Sequence, residues 1–253
     1  MKSYFFEFDG KKSYDMGFMN VRISKSEAKR KLVGKQKINV AENIRYRKNF
    51  IQSTQRDPII FTLRITPNDG EEWTDELLER LVKWLSTEDY RPFVSGDNPA
   101  LVCYAKCTSD FTWQGLYDYG TIELEFETNA NTYFTKPAYV TYQVTGSQDI
   151  TINNKSVTND INYPLIEITK TNATGSIEII NHTDNERLTS ISQLNKGEKL
   201  GLDNEFHLIQ SKTPFNFYGE RFNKKWFRLL PDVNHITVKG DCEIAFRLQF
   251  EAV

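Results

Sequence analysis

The chain is short of the residues on which most catalytic and metal chemistry is built. Among 253 residues there are three cysteines, Cys103, Cys107 and Cys242. That number is small and odd, which excludes a disulfide framework and points to synthesis in a reducing compartment. Three histidines, His182, His207 and His235, are scattered singly, too few for a zinc site of about four converging ligands. No metal or cofactor is expected. No stretch approaches the ~20 apolar residues of a membrane-spanning helix. The opening Met1-Lys2-Ser3-Tyr4-Phe5-Phe6-Glu7-Phe8-Asp9 is neither signal peptide nor anchor. Three Asn-x-Ser/Thr matches, at Asn154, Asn172 and Asn181, carry little weight in an Asn-rich chain without a secretion signal. Glycine forms no phosphate cradle: Gly197 and Gly201 lack the lysine and hydroxyl of a P-loop. There is no nucleophile elbow and no paired-histidine zinc helix. A net charge of −2 argues against nucleic acid as the partner of the whole molecule.

Period-two alternation is what the chain has in quantity. Ile59, Phe61, Leu63 and Ile65 share one strand face, as do Ile122, Leu124 and Phe126, then Val140, Tyr142 and Val144, then Ile244, Phe246, Leu248 and Phe250. Residues two apart point the same way on a pleated strand, so each run buries one face and wets the other. An aromatic fraction of 13%, with 17 Phe and 12 Tyr, suits strands and protein interfaces. Asp9-Gly10 between Phe8 and Val21/Ile23, and Asn153-Asn154 between Ile152 and Val157, read as hairpin turns. Asn195-Lys196-Gly197 and Lys239-Gly240-Asp241 read as further tight turns, and Gly115 marks a turn region. One segment, residues 74–85, predicts a helix. Thr74 caps it, Asp75 and Glu76 sit in its first turn, and Leu77, Leu78, Leu81, Val82 and Leu85 form its stripe. Such a helix packs on a sheet.

These patterns predict a mostly β protein of two domains. The boundary is placed near residue 135, in the polar, Pro-containing stretch Asn129 to Pro137. The first domain, residues 1–135, is a β-barrel or sandwich-like unit with the helix. The second, residues 136–253, is strand and turn throughout and reads as a β-sandwich of jelly-roll or lectin kind.

Two segments are candidates for function. Residues 25–48 hold nine basic residues against Glu27 and Glu42, a net +7 that leaves −9 for the rest of the chain. Lys35, Lys37, Arg45, Arg47 and Lys48 read either as a solvated hairpin or as an arm on an acidic surface of a neighbouring copy. Phosphate binding is the weaker reading, because no aromatic residue precedes Tyr46 in the run. The second segment interleaves Phe215, Phe217, Tyr218, Phe222, Trp226 and Phe227 with Arg221, Lys224, Lys225 and Arg228. Tyr218, Phe222 and Trp226 are the candidate aromatic surface, for a protein interface or for stacking on sugars, with core packing as the alternative. Catalysis finds no support. Glu123, Glu125 and Glu127 are the wet face of a strand, not a glycosidase dyad. Cys103 and Cys107 share a strand face and read as small hydrophobes. His207 lies between Phe206 and Leu208, where a satisfied or half-buried histidine is expected.

The order of segments resembles the distal tail proteins of long-tailed, non-contractile bacteriophages. The resemblance rests on the strand–Asp9-Gly10–strand opening, Leu81-Val82-Lys83-Trp84-Leu85 and Gly120-Thr121-Ile122-Glu123-Leu124-Glu125-Phe126. It continues through Tyr133-Phe134, Pro164-Leu165-Ile166-Glu167-Ile168 and Leu230 to Gly240, where Asp232-Val233 stands in place of the family's usual glycine. It implies a non-enzymatic virion protein made in the host cytoplasm. It implies a ring-forming N-terminal domain and a galectin-like C-terminal sandwich, and leaves open whether the strand Ile244 to Phe250 returns to the N-terminal domain. It further implies a homohexameric ring joining the tail tube protein to the tail-tip hub, fibre or tail-lysin protein. Peripheral receptor-binding baseplate proteins attach in some members. No nucleic acid and no membrane partner is implied. The rival readings are a carbohydrate-binding module in host adsorption and a cell-wall hydrolase.

Overall fold

The computed structural model describes residues 4–21, 31–43, 48–111, 113–116, 119–158, 160–211 and 217–253. The chain divides into two compact units, Met1–Thr135 and Lys136–Ala252.

Eleven described strands and one α-helix make the first unit. The strands are β1 (Phe6–Phe8), β2 (Lys11–Lys12), β3 (Phe18–Asn20), β4 (Gln36–Asn43), β5 (Lys48–Arg56) and β6 (Ile60–Pro67), then helix α1 (Asp75–Leu85). Next come β7 (Arg91–Ser95), β8 (Leu101–Cys107), β9 (Trp113–Leu116), β10 (Tyr119–Thr128) and β11 (Tyr133–Thr135). The main sheet runs β2-β1-β7-β8-β10-β6-β3, with β9 on β10 and β11 on β8. Its described pairs are antiparallel, and β10 matches β6 with Leu124 opposite Leu63 and Phe126 opposite Phe61. The two ends of the sheet approach each other, because the Asn20 N–H donates to the Tyr4 carbonyl at 2.7 Å. That closure gives the sheet its barrel-like curl. The hairpin β4–β5 stands outside it as a two-stranded sheet of its own.

The expected alternation holds. Ile122, Leu124 and Phe126 are fully buried, while Glu123 and Glu125 between them are exposed. The turn at Asp9-Gly10 has φ of 52° and 73°. Positive φ at both central residues is the two-residue hairpin geometry that glycine favours, and it matches the twist of β1 and β2. Helix α1 forms where expected. The Thr74 hydroxyl accepts from the Leu77 N–H at 3.2 Å, and Leu77, Leu81, Trp84 and Leu85 are buried on the sheet. Trp84 stacks on Phe6 at 5.5 Å and donates its indole N–H to the Phe8 carbonyl at 3.2 Å. Ile23 and the turn residues after Leu116 lie outside the described residues, and Gly115 sits within β9, paired with Gly120 of β10.

The second unit is a sandwich. One sheet runs β12 (Ala138–Val144), β20 (Cys242–Leu248), β14 (Leu165–Lys170), β17 (Lys199–Asp203), β18 (Leu208–Ser211). The other runs β13 (Ser147–Asn154), β19 (Asp232–Lys239), β15 (Gly175–Asn181), β16 (Arg187–Leu194). Their inner faces share one core, with Ile166, Ile168, Ile244 and Phe246 from the first sheet and Ile152, Ile179, Ile236 and Val238 from the second. The strand after the Gly240 turn pairs with β12 and β14 from Cys242 to Leu248.

Asn153-Asn154 is not a turn. Both residues stay in β13, opposite Val233 and Asp232. Asn154 is buried, and its side chain organises the loop beyond the strand. Its amide donates to the Asp160 carbonyl at 3.1 Å, and its Oδ1 accepts from the Ser156 N–H at 3.2 Å. A side-chain bond two residues onward is the local chemistry that makes asparagine common in turns, displaced here to the strand end. Among the described residues no helix is long and apolar enough to cross a membrane.

Candidate interaction surface

Among the described residues no group of histidine, cysteine and carboxylate is placed to hold a metal ion. Cys103 and Cys242 are buried and free, and burial pushes their thiols up to about 12 and about 11, so they pack as apolar groups. His182 bridges Glu186 and Thr237 at 2.7 Å each. His207 is exposed rather than half-buried, because the chain turns there at φ 55° and lays the ring on Trp226, 5.1 Å between centroids. His235 is exposed.

The aromatic segment divides. Tyr218 and Phe222 are 5% and 6% exposed, members of the sandwich core rather than its surface. Trp226 is half-buried, with Phe222 against one side at 4.7 Å and His207 against another. A sugar-stacking platform needs an open ring face, and His207 already stacks on one face of Trp226. Phe217 is the exposed member, at 83%.

What holds the end of this irregular segment, from Phe227 to Leu230, is a set of buried asparagines. Asn204, fully buried, donates to the Pro164 carbonyl at 2.6 Å and accepts from the Phe227 N–H at 2.8 Å. Asn234, also fully buried, accepts from the Leu230 N–H at 2.9 Å and donates to the Leu230 carbonyl at 2.8 Å. The Asn181 amide donates to the Arg228 carbonyl and to Asn234 Oδ1, both at 2.9 Å. A buried backbone group left unpaired costs about 1–3 kcal/mol. These side chains supply the partners that a strand ladder would otherwise provide. Asp184 adds a bidentate clamp on Arg228, at 2.7 and 2.9 Å.

The basic segment takes the opposite form. Its described part is hairpin β4–β5, with Lys37 opposite Gln55 and Ile38 opposite Thr54. Arg45 and Arg47 lie outside the described residues, and Lys48 opens β5. Lys35, Gln36, Lys37, Ile38, Asn39, Ser53, Gln55 and Arg56 are all exposed. Consecutive residues of a strand face opposite sides, so this part of the hairpin is wet on both faces. Its root is fixed. The Gly34 N–H donates to the Asn131 carbonyl at 2.7 Å, and the Asp57 N–H to the Lys35 carbonyl at 2.9 Å. Lys37 pairs with Asp57 at 2.8 Å with both side chains exposed, a contact worth about 0–1 kcal/mol. Composition located this segment; only the structure shows that the described residues near its root are uncovered on both faces.

A family model described as phage tail protein N-terminal domain matches residues 1–130, and one described as phage tail C-terminal domain matches residues 133–248. A curated relative, the SPbeta prophage-derived uncharacterized protein YomH of Bacillus subtilis strain 168, is 20% identical, covering 99% of this chain and 98% of its own. Among solved structures, the Dit (gp 19.1) protein of phage SPP1 superposes with a TM-score of 0.69 at 14% identity, over 97% of this chain and 98% of its own. SPP1 Dit is described as a paradigm of the hub adsorption apparatus in phages infecting Gram-positive bacteria. A chain of the phage P2 baseplate, in its calcium-activated conformation, superposes with a TM-score of 0.57 at 7% identity, over 100% and 99%. At these identities the structures establish the fold.

Proposed function

This chain belongs to the phage tail protein family whose two domain models span it, and from that premise we propose that it is the distal tail protein of a long-tailed, non-contractile phage. It is a component of the tail, and its match to structural tail and baseplate proteins is what sets the hydrolase reading aside. In this reading the first unit forms a homohexameric ring beneath the tail tube. The ring joins the tube protein above to the tail-tip hub or tail-lysin protein below. Peripheral receptor-binding proteins attach where a phage carries them.

The observation that carries the reading is the β4–β5 hairpin. An isolated two-stranded hairpin is at best marginally stable in water, and the described part of this one is paired only with itself, with both faces exposed near its root. A surface outside its own sheet completes it, and a neighbouring copy in a ring provides one. Full-length likeness in fold to a hub protein supports the same reading.

Purified chain mixed with its tube protein and its tail-tip hub protein, separated by size exclusion, tests the role. The expected result is one complex containing all three. A chain that elutes alone from both neighbours contradicts it.

A further inference from the structure

Strand β15 of the second unit runs into a turn held in an unfavourable backbone conformation. His182–Asp184 form a single turn of 3-10 helix, and Asn185 and Glu186 follow at φ of 51° and 57°. Asparagine tolerates that left-handed region; glutamate meets the full crowding of its Cβ there. The turn brings Glu186 back onto His182, with Glu186 Oε2 2.7 Å from Nδ1. The other ring nitrogen, Nε2, lies 2.7 Å from the Thr237 hydroxyl of β19. That hydroxyl lies 2.6 Å from Asp149 Oδ1 of β13. One row of contacts thus ties the turn to two strands, and the Thr183 hydroxyl adds a second tie by accepting from the His235 N–H at 3.0 Å.

The row has three contacts, and each needs one hydrogen. Ionised carboxylates only accept, and a threonine hydroxyl has one hydrogen to give. A neutral imidazole carries one N–H, so a neutral His182 brings the supply to two hydrogens for three contacts. An imidazolium carries two and completes the row: Nδ1–H donates to Glu186, Nε2–H to Thr237, and the Thr237 O–H to Asp149. With the ring neutral, one of the three contacts sets two acceptors against each other. Other charged groups share this face of the sheet. His235 and Lys239 flank Thr237 at two-residue spacing on β19, and Glu178 of β15 stands opposite Lys239. Asp184, within the turn, is engaged by Arg228 and lies 3.7 Å from Arg187. His235 is therefore the ring whose titration must be told apart from that of His182.

We propose that His182 is a proton-operated clasp on this turn. Histidine is the side chain that changes charge between about pH 5 and 8. With the proton on, the row is complete and the strained turn is pinned to β19 and β13. With it off, one link opens and the turn relaxes. The stabilisation is present at low pH and lost as pH rises. Release reaches the rim of the sandwich, because the same turn carries Asp184, which clamps Arg228 at 2.7 Å, and leads to Arg187, which donates to the Trp226 carbonyl at 2.7 Å. The clasp lies within one chain and does not depend on the ring.

Hydrogen exchange of the full chain, read by mass spectrometry on peptides covering residues 182–188 and 233–237, tests the clasp. Rates are compared at about pH 5.5 and about pH 8 after correction for intrinsic exchange. The wild-type turn is expected to exchange roughly tenfold faster at the higher pH, the worth of one hydrogen bond. His235→Gln is expected to keep that dependence, and His182→Gln to lose it. Glu186→Gln is the decisive variant. Its amide supplies the hydrogen that a neutral ring lacks, so at the higher pH it is expected to be as protected as the wild type is at the lower. Glu186 is exposed, so this variant decides the matter by itself if His182→Gln does not fold, and circular dichroism melting checks the fold of each. Equal wild-type protection at both pH values overturns the proposal. So does a pH dependence that survives in folded His182→Gln or vanishes in His235→Gln, or a Glu186→Gln turn as open at the higher pH as the wild type.

Discussion

Replacing Phe126 by alanine lowers the stability of the first unit by about 4 kcal/mol, the range for emptying a buried aromatic site. Phe126 is fully buried, and its ring lies 6.2 Å from Phe6, 5.7 Å from Phe8, 5.5 Å from Phe61 and 5.3 Å from Phe93. Those four rings come from three other strands, β1, β6 and β7. The space left by truncation is therefore walled by side chains on separate elements and cannot collapse by moving one of them. Chemical denaturation followed by tryptophan fluorescence measures the loss, since Trp84 packs against Phe6 and Phe8. The control is Glu123→Ala on the opposite face of the same strand. Its exposed pair with Arg64, at 2.7 Å, is worth about 0–1 kcal/mol. Equal losses at the two positions would contradict the assignment of β10 as the floor of this core.

Gly34→Ala is expected to release the hairpin and dissolve the ring while the core of the first unit stays folded. A Cβ at Gly34 would lie 1.6 Å from the Asp57 carbonyl oxygen and 2.8 Å from its carbon. Both are backbone atoms at the point where the chain leaves β5, so relief requires the hairpin root to open. Opening breaks the Gly34 to Asn131 bond, or the Asp57 to Lys35 bond, or both. The constraint is one of space rather than of dihedral angle, so serine and alanine are equally excluded. Light scattering is expected to give the single-chain mass for Gly34→Ala. Thermal melting is expected to keep the main transition, because Phe6, Phe126 and Trp84 belong to the main core. A ring of unchanged mass would show that the hairpin root does not control assembly.

Much of this fold was legible in the sequence because strand alternation is local. Ile122-Glu123-Leu124-Glu125-Phe126 declares its own inner and outer faces, and Thr74 with Asp75 and Glu76 declares a helix start. The basic segment was legible as composition, since a net +7 in residues 25–48 stands out against the rest. Its lack of cover was not, because exposure on both faces depends on what other elements leave uncovered. The aromatic segment shows where reading by neighbours fails. Tyr218, Phe222 and Phe227 lie on no regular strand or helix, and the stretch from Phe227 to Leu230 is held by Asn204, Asn181 and Asn234, some from far along the chain. Asn204 to Phe227 spans 23 residues and Asn181 to Arg228 spans 47, and no local pattern encodes a bond of that reach. Asn153-Asn154 failed for a related reason. The pair has turn chemistry, but its ladder partners Val233 and Asp232 extend the strand through it. Gly34 gave no signal at all, since the carbonyl it must accommodate lies across the hairpin root at Asp57.

The most direct test is the absolute mass of the purified chain in low salt, by light scattering. A species of about six times the 29.5 kDa chain, falling as salt rises because exposed charge pairs are screened, is the predicted result. A single-chain mass at every salt and protein concentration would contradict the account.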